Sequence, residues 1–587
     1  MLMPPKKINA DMPLFIPRST KSSAENKTGS WRYFRPLYEE KTAPCSAACP
    51  VGEDIPRIEL LVRQGLIQKA WETILEENPF PSICGRVCFH PCETACNRGE
   101  YDQPIAIHCL ERLIGDKALM QGSNPDLQPL AANGKKIAIA GAGPAGLAAA
   151  YFLKRLGFSC DVFEAEAAPG GLLRWGIPGY RLPQDILNQE IARIGKQGVT
   201  IHCRTPLTAD SLKKLRTQFD AVFIACGFSR SIQMKIPGED LAQDGLKLLH
   251  RIRAGQSASI TGTAAVVGGG NTAVDVARSL KRLGATPIIV YRRRKADMPA
   301  FEPEIEMALE EGIELKELVA PIVIRKDDRG ASAKDSAYTM TLQKMKVSAT
   351  EIRGRARVVP DGDDTARLRV DHIYMAIGAG PEAMWDPPRK KGSDQIALSH
   401  CRIIEQDGPL IVGGDLTNDT LSVTDAIASG KQAAMALDVY FKKGWDAIEE
   451  SLNDNRVGNA TSLSMAAYLG GERKHRNSHV VTFAEINSDY FQSGARAVPE
   501  GQSPQERVRS FAEIETTLKK DVAIGEAQRC FNCGICTACD YCRIFCPEVA
   551  VMVEKAQRHI NLDYCKGCGI CVTECPRNAM ALEEEKK

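Results

Sequence analysis

Apolar residues recur along this chain with different periods, and the places where the period changes divide it. Residues 55–78, "IPRIELLVRQGLIQKAWETILEEN", space their apolar side chains at three and four positions, which predicts amphipathic helix. From Lys135 to about Leu437, short apolar runs predicted as strands alternate with helical stretches, the order of a doubly wound α/β fold. Residues 441–527 are polar and weakly patterned, a candidate linker or surface wrap. Residues 1–44 are rich in Lys, Pro and Ser and read as an extended arm, ordered only where something docks it.

Composition narrows the picture. With 587 residues, 44% of them apolar and 25% charged, the chain is long enough for several domains with sizeable cores. A formal net charge of +2 and a longest basic run of only "YRRRKAD" supply no field for nucleic acid. No membrane-length apolar stretch occurs, and the amino terminus lacks the apolar core of a secretion signal, so a soluble cytoplasmic protein is expected. In that reducing compartment 21 cysteines point to metal ligation more than to disulfides. Six fall between Cys45 and Cys96 and ten between Cys530 and Cys575. Cys109, Cys160, Cys203, Cys226 and Cys401 are scattered and read as buried core residues.

Two stretches carry nucleotide chemistry. "KKIAIAGAGPAGLAAAYFLKRLGFSCDVFEA" is a strand, a G-x-G-x-x-G turn at Gly141, Gly143 and Gly146, a helix opened by Pro144 and Ala145, a second strand and then Glu164. Glycines let the backbone approach a pyrophosphate at the helix amino terminus, and the acid accepts hydrogen bonds from ribose hydroxyls. "TAAVVGGGNTAVDVARSLKRLGATPIIVYRRRK" repeats the unit with Gly268, Gly270 and Ala273, and Gly269, Asn271 and Thr272 lie in the same turn as binding candidates. Arg292, with Arg293 beside it, stands where the first unit has its acid, which suits a 2′-phosphate and favours NADP(H) over NAD(H). A solvated surface run is the alternative reading of these arginines.

Iron–sulfur chemistry is written at the carboxy end. The spacing C-x2-C-x2-C-x3-C-P fits Cys536, Cys539, Cys542 and Cys546 before Pro547, and again Cys565, Cys568, Cys571 and Cys575 before Pro576. In such loops the fourth cysteine serves the other cluster. One [4Fe–4S] cluster is therefore assigned Cys536, Cys539, Cys542 and Cys575, and the other Cys565, Cys568, Cys571 and Cys546. Cys530 and Cys533 are then surplus, unless the two ends of the chain meet and the amino-terminal cysteines join them.

"GGLLRWGIPGYRLP", "ACG" at 225–227, "VVGGGNTAVD", "YRRRKADMPA", "AIG" at 376–378 and "VGGDLTNDTLSVTDAIASGKQAA" resemble the small subunit of glutamate synthase and its relatives, FAD-containing NAD(P)H oxidoreductases that include the electron-input half of dihydropyrimidine dehydrogenase. The resemblance implies that Gly141–Gly146, Glu164, Gly171, Leu172, Arg181, Gly414 and Asp415 bind FAD. It implies that Gly269–Thr272, Arg292, Arg293, Ala376, Ile377 and Gly378 face the nicotinamide nucleotide. The expected architecture is multidomain α/β: a helical iron–sulfur module (45–130), a discontinuous FAD domain (131–255 and 371–440) with an NAD(P) domain (256–370) nested in it, and a C-terminal α+β two-cluster ferredoxin (528–587). No protein side chain is assigned as catalytic, because the flavin mediates hydride transfer. Relatives have a cysteine pair ahead of "APCSAACP", whereas "YEEKTAPC" supplies no cysteine before Cys45 here. The resemblance assigns Cys49, Cys88, Cys92 and the carboxylate of Glu111 to one cluster near the flavin. Cys45, Cys84 and Cys96 are then spare or hold a second centre, and a structural zinc site is an alternative.

A hydride carries two electrons and a cluster accepts one, so a flavin between them serves as converter. The expected function is an NAD(P)H:ferredoxin-type electron-transfer subunit. A flavin disulfide reductase is disfavoured because no cysteine lies between Cys160 and Cys203. "NKTGSWRYFRPLYEEK" and "LDYCKGCGICVTECP" resemble the ferredoxin subunit of 2-oxoacid:ferredoxin oxidoreductases, and similar fused chains resemble the iron–sulfur flavoprotein of dissimilatory sulfite reductase. The resemblance implies a hetero-oligomer with a redox partner such as a 2-oxoacid oxidoreductase, or with ferredoxin. The alternatives are an electron-input subunit of a glutamate synthase-like or sulfite reductase complex, and a non-catalytic relay subunit.

Overall fold

The computed structural model describes residues 25–585 apart from 124, 126, 257, 328–337, 353–354, 386–394, 406–407 and 556. Lys136–Ala140 lies inside a seven-stranded sheet, parallel to Ser159–Phe163 on one side and Ala221–Ile224 on the other. Its four residues after Lys136 are buried, as a strand covered on both faces requires. Thr200–His202 and Pro409–Gly413 extend the parallel part, and Cys401–Glu405 and Gln395–Ala397 finish it antiparallel. The sheet thus draws strands from both sides of the inserted region.

Helices Pro144–Arg155 and Val423–Lys443 pack against each other at Gly430, where a Cβ would lie 2.7 Å from the backbone N of Ala149 and closer still to the Ala145 carbonyl. Only glycine allows that approach.

The inserted domain is larger than the apolar pattern suggests. Its five-stranded parallel sheet includes Gln243–Asp244 and His372–Met375 beside Thr263–Val267, Thr286–Val290 and Glu314–Lys316. It therefore begins before residue 256 and ends after 370. "HIYM" reads as a buried strand in either domain, and its pairing with Thr263–Val267 decides which. A three-stranded antiparallel sheet, Val319–Lys326, Tyr338–Ile352 and Arg355–Val370, interrupts the α/β alternation.

The described part of the arm is a piece of the ferredoxin module. Phe34–Tyr38 pairs antiparallel with Met580–Glu584, and the buried Arg32 holds Glu585 through Nε and Nη2 at 2.8 and 2.7 Å. The resemblance of this segment to a ferredoxin subunit has its physical basis here: it adds a strand to the chain's own ferredoxin. The stretch at 441–527 wraps the amino-terminal module, with Asn477–Val480 beside Lys41–Thr42.

Candidate functional site

The two glycine turns are built alike. A Cβ on Gly141 would sit 2.5 Å from the Ala225 carbonyl oxygen, and one on Gly268 would strike the Ala376 carbonyl, so each turn lies against the strand end that faces it. Gly171, at φ 52°, would place a Cβ 2.8 Å from the Cα of Gly143, and Gly414, at φ 66°, comes against Ala145. Glycines at 141, 143, 171 and 414 thus line one cradle. Gly143 and Gly270 precede helices Pro144–Arg155 and Asn271–Leu283 with no side-chain cap, and nothing stands within 4 Å of a Cβ on Gly270. Uncapped N–H groups beside open space fit the phosphates of FAD and of a nicotinamide nucleotide.

Glu164 ends the strand Ser159–Phe163 and accepts from the N–H groups of Ala142 and Glu166 at 2.8 and 2.9 Å. Asp415 lies 3.8 Å from where a Cβ on Gly227 would stand, and burial, then the charge of Asp425, raises its pKa to about 6. Leu172 is 44% exposed at the cradle, an apolar side chain without cover. In the second unit Asn271 accepts from Phe301 N–H at 2.9 Å, Thr272 follows it into the helix, and Arg292 is exposed just beyond the strand Thr286–Val290. Arg293 adjoins it and is partly buried. Ala376, Ile377 and Gly378 follow the strand His372–Met375 and face Gly268 through the Ala376 carbonyl.

Arg181 departs from the expectation. Its buried guanidinium pairs with Asp275 at 2.8 Å and Glu304 at 3.1 Å, both in the inserted domain. The contact ties the two nucleotide domains together, and its partners lie about a hundred residues away, where no local motif points to them.

Among the amino-terminal cysteines, Cys49 lies within electrostatic reach of Cys88 and Glu111, and Cys92 of Cys49 and Cys88. Burial raises all three thiols, so cluster binding there would release protons. Glu111 shares Asn78 Nδ2 with Glu53, which accepts at 2.8 Å against 3.0 Å for Glu111, and burial lifts Glu53 to about 7. Glu53 carries no sequence signal; only folding sets a second carboxylate beside Glu111. Cys84 stays at the edge of this set, its Sγ 3.8 Å from Asn78 Oδ1. Cys88 Sγ is 3.7 Å from Thr424 Oγ1, at the start of the helix that follows Gly414 and Asp415. Cys45 and Cys96 lie within electrostatic reach of Cys530 and Cys533.

At the carboxy end Cys536, Cys539, Cys542 and Cys575 line one cavity with Tyr38, whose hydroxyl is 3.2 Å from Cys542 Sγ. Cys546, Cys565, Cys568 and Cys571 line a second. Both are the crossed sets that the spacing predicts. N–H···S bonds at 3.3 Å from Ala550 to Cys546 and from Ala579 to Cys575 are of the kind that tunes such clusters.

The chain resembles known proteins over each of these modules. Residues 135–386 match the family described as pyridine nucleotide-disulphide oxidoreductase, residues 37–123 match dihydropyrimidine dehydrogenase domain II with its 4Fe-4S cluster, and residues 558–581 match the 4Fe-4S binding domain. The β subunit of the NADP(+)-dependent formate dehydrogenase of Moorella thermoacetica is 32% identical over 528 residues, covering 84% of this chain and 70% of its own. The chain belongs to the glutamate synthase small-chain family of NAD(P)H oxidoreductases. The NADPH-Fe(3+) oxidoreductase subunit β of Geobacter sulfurreducens is 30% identical over 531 residues (84% and 75% of the two chains). The NADPH-dependent glutamate synthase small chain of Escherichia coli K12 is 31% identical over 420 residues (66% and 87%). This member is an iron–sulfur oxidoreductase with 4Fe-4S domains at both ends. Among its described residues no helix is long and apolar enough to cross a membrane.

Proposed function

We propose that this chain is the electron-transfer subunit of a hetero-oligomeric redox enzyme, taking electrons from NADPH and passing them through its iron–sulfur modules to a partner. When bound, FAD supplies the conversion between a two-electron hydride and single electrons. The chain's own residues position that exchange: the glycines of both turns admit phosphate, Glu164 receives a ribose, and Arg292 offers charge to a 2′-phosphate. One observation carries the reading. Cys88, in the amino-terminal cysteine set, lies 3.7 Å from Thr424 in the helix that follows Gly414 and Asp415, which supports a first cluster site next to the flavin site.

A partner is supported by two features. The formate dehydrogenase and Fe(3+) oxidoreductase relatives are named as β subunits. At the second ferredoxin cavity the lining residue Ile570 is 38% exposed beside an exposed Cys568, and Ile544 and Val549, on either side of Cys546 in sequence, are each 69% exposed; exposed apolar side chains of this kind are features of interaction sites. A 2-oxoacid oxidoreductase or a formate-oxidising core is the class of partner we favour. The test is anaerobic reconstitution followed by NADPH addition. Flavin bleaching and viologen reduction are expected, and affinity purification from the native cell should bring down a catalytic subunit. Protein that retains neither flavin nor iron, or that purifies only as a free chain with no viologen activity, refutes the reading.

A further inference from the structure

The loop that holds Cys530 and Cys533 is folded like the cluster loops. Cys530 Sγ accepts from the N–H of Asn532, two residues on, at 3.4 Å. Ala538 and Gly567 donate from the same place behind Cys536 and Cys565, and His90 donates to Cys88 at 3.3 Å. At that place the backbone is left-handed each time: φ is 52° at Asn532, 57° at Ala538, 73° at Gly567 and 53° at His90. Residues other than glycine seldom adopt this conformation. Cys530-x2-Cys533 therefore carries the backbone signature of a thiolate loop, not that of an ordinary turn.

The other half of the arrangement comes from the opposite end of the chain. Cys45 lies within electrostatic reach of Cys96, Cys530 and Cys533, and Cys530 within reach of Cys533 and Cys96. Hydrogen bonds on every side fix this meeting. Asn97 Nδ2 donates to Cys533 Sγ at 3.5 Å and to the Val481 carbonyl at 3.0 Å. Arg98 Nη1 reaches the Arg529 carbonyl at 2.8 Å, Asn532 Nδ2 the Pro56 carbonyl at 2.9 Å, and Lys41 N–H the Gly534 carbonyl at 2.8 Å. Glu59, 1% exposed, lies within reach of Cys45, Cys96 and Cys530, and neither carboxyl oxygen has a hydrogen-bond partner among the described residues. A buried carboxyl without a partner is costly, so the pocket around these cysteines is short of one polar group.

We propose that Cys45, Cys96, Cys530 and Cys533 together ligate one further [4Fe–4S] cluster, a centre assembled from the two ends of the chain. The carboxy-terminal pair would take the place of the cysteines missing ahead of Cys45. The spacing opposes a single zinc ion, whose Zn–S bonds of about 2.3 Å draw four sulfurs to about 3.8 Å of one another. Among the described residues no three cysteine sulfurs lie within 4.8 Å of each other. The position is that of a relay. On one side Cys45 is within reach of Cys92 of the flavin-side set; on the other, Arg577 is within reach of Cys530 and of Cys539 and Cys575 of the ferredoxin. One electron enters and one leaves, with no bond made or broken.

The inference rests on the reading of the chain as a cluster-bearing electron carrier, and iron counting on the full-length, anaerobically reconstituted protein separates the two. Unaltered protein should hold about sixteen irons and as many acid-labile sulfides, one set of four for each of four clusters, against about twelve without this centre. Cys530→Ser/Cys533→Ser and Cys45→Ser/Cys96→Ser should each lose the same four irons and the same EPR signal, and the quadruple variant no more. Flavin content and flavin reduction by NADPH should persist in all three, while reduction of the ferredoxin centres by NADPH slows at least about tenfold. About twelve irons in the unaltered protein, one zinc in place of the extra four, or additive losses from the two double variants would overturn the proposal and leave the proposed function standing. The count on unaltered protein decides the matter even where a variant fails to fold.

Discussion

Replacing Lys431 with Met asks how three sequence-distant parts are fastened together. Lys431 of the helix Val423–Lys443 and Glu77 of the amino-terminal module are each 1% exposed and pair at 2.7 Å. Glu77 also accepts from Arg473 Nη1 at 2.9 Å, from Ser464 Oγ at 2.5 Å, and from the N–H groups of Met465 and Ala466 at 2.8 and 3.2 Å. Burial works to raise the Glu77 pKa, but the charges of Lys431 and Arg473 outweigh it and the net shift is downward. Breaking a buried pair from one side costs about 3–5 kcal/mol. Arg473 and the three other donors remain, and methionine fills the space, so the expected loss is at the low end, about 3 kcal/mol. A multidomain chain has no single unfolding free energy, so the readout is the urea midpoint for flavin release. With a slope of about 3 kcal/mol per molar urea, that midpoint should fall by about 1 M. The double variant Glu77→Gln/Lys431→Met removes the carboxylate that has lost Lys431 but also takes the Glu77 charge from Arg473, so it should recover part of the loss. Because the folded Glu77 pKa lies below its ordinary 4.5, this stabilisation is present above that value and lost as pH falls through the folded pKa; the deficit of Lys431→Met should shrink accordingly below about pH 4. A midpoint shift under about 0.2 M at neutral pH, or a double variant no more stable than the single, refutes the argument.

Arg292→Ala should lower kcat/KM for NADPH at least about tenfold and leave NADH nearly unchanged, since a charge-assisted contact is worth ~1.5–3 kcal/mol and ~1.4 kcal/mol is one decade; equal losses with both nucleotides would show that it serves structure. Tyr38→Phe removes the hydroxyl 3.2 Å from Cys542 Sγ and should lower the midpoint potential of that ferredoxin centre by about 60 mV, because a lost donor of ~1.4 kcal/mol is 59 mV for one electron; an unchanged EPR-monitored titration would refute it. Arg32→Ala removes the clamp on Glu585 and the Leu562 carbonyl and should make the carboxy-terminal ferredoxin protease-sensitive while flavin stays bound; unchanged digestion kinetics would show that strand pairing at Phe34–Tyr38 suffices.

The amino-acid sequence by itself determined whatever depends on short spacings. The turns at Gly141 and Gly268 need glycine within a few residues of a strand and a helix, and the register of Cys536 to Cys546 follows from gaps inside one loop and the proline after it, so both are complete in a dozen residues. Even the meaning of Cys530-x2-Cys533 was half present, as a spacing without a second half. Tertiary structure alone decided what that pair faces, because Cys45 and Cys96 lie more than four hundred residues away in the chain and only the packing of Asn97, Arg98, Lys41 and Asn532 brings them there. The same holds for Arg181, paired with Asp275 and Glu304 of the inserted domain, and for His372–Met375, an apolar run that either sheet could have used. Local spacing encodes the backbone shape of a loop; which loops meet is set by the burial and hydrogen bonding of surfaces that no short window contains.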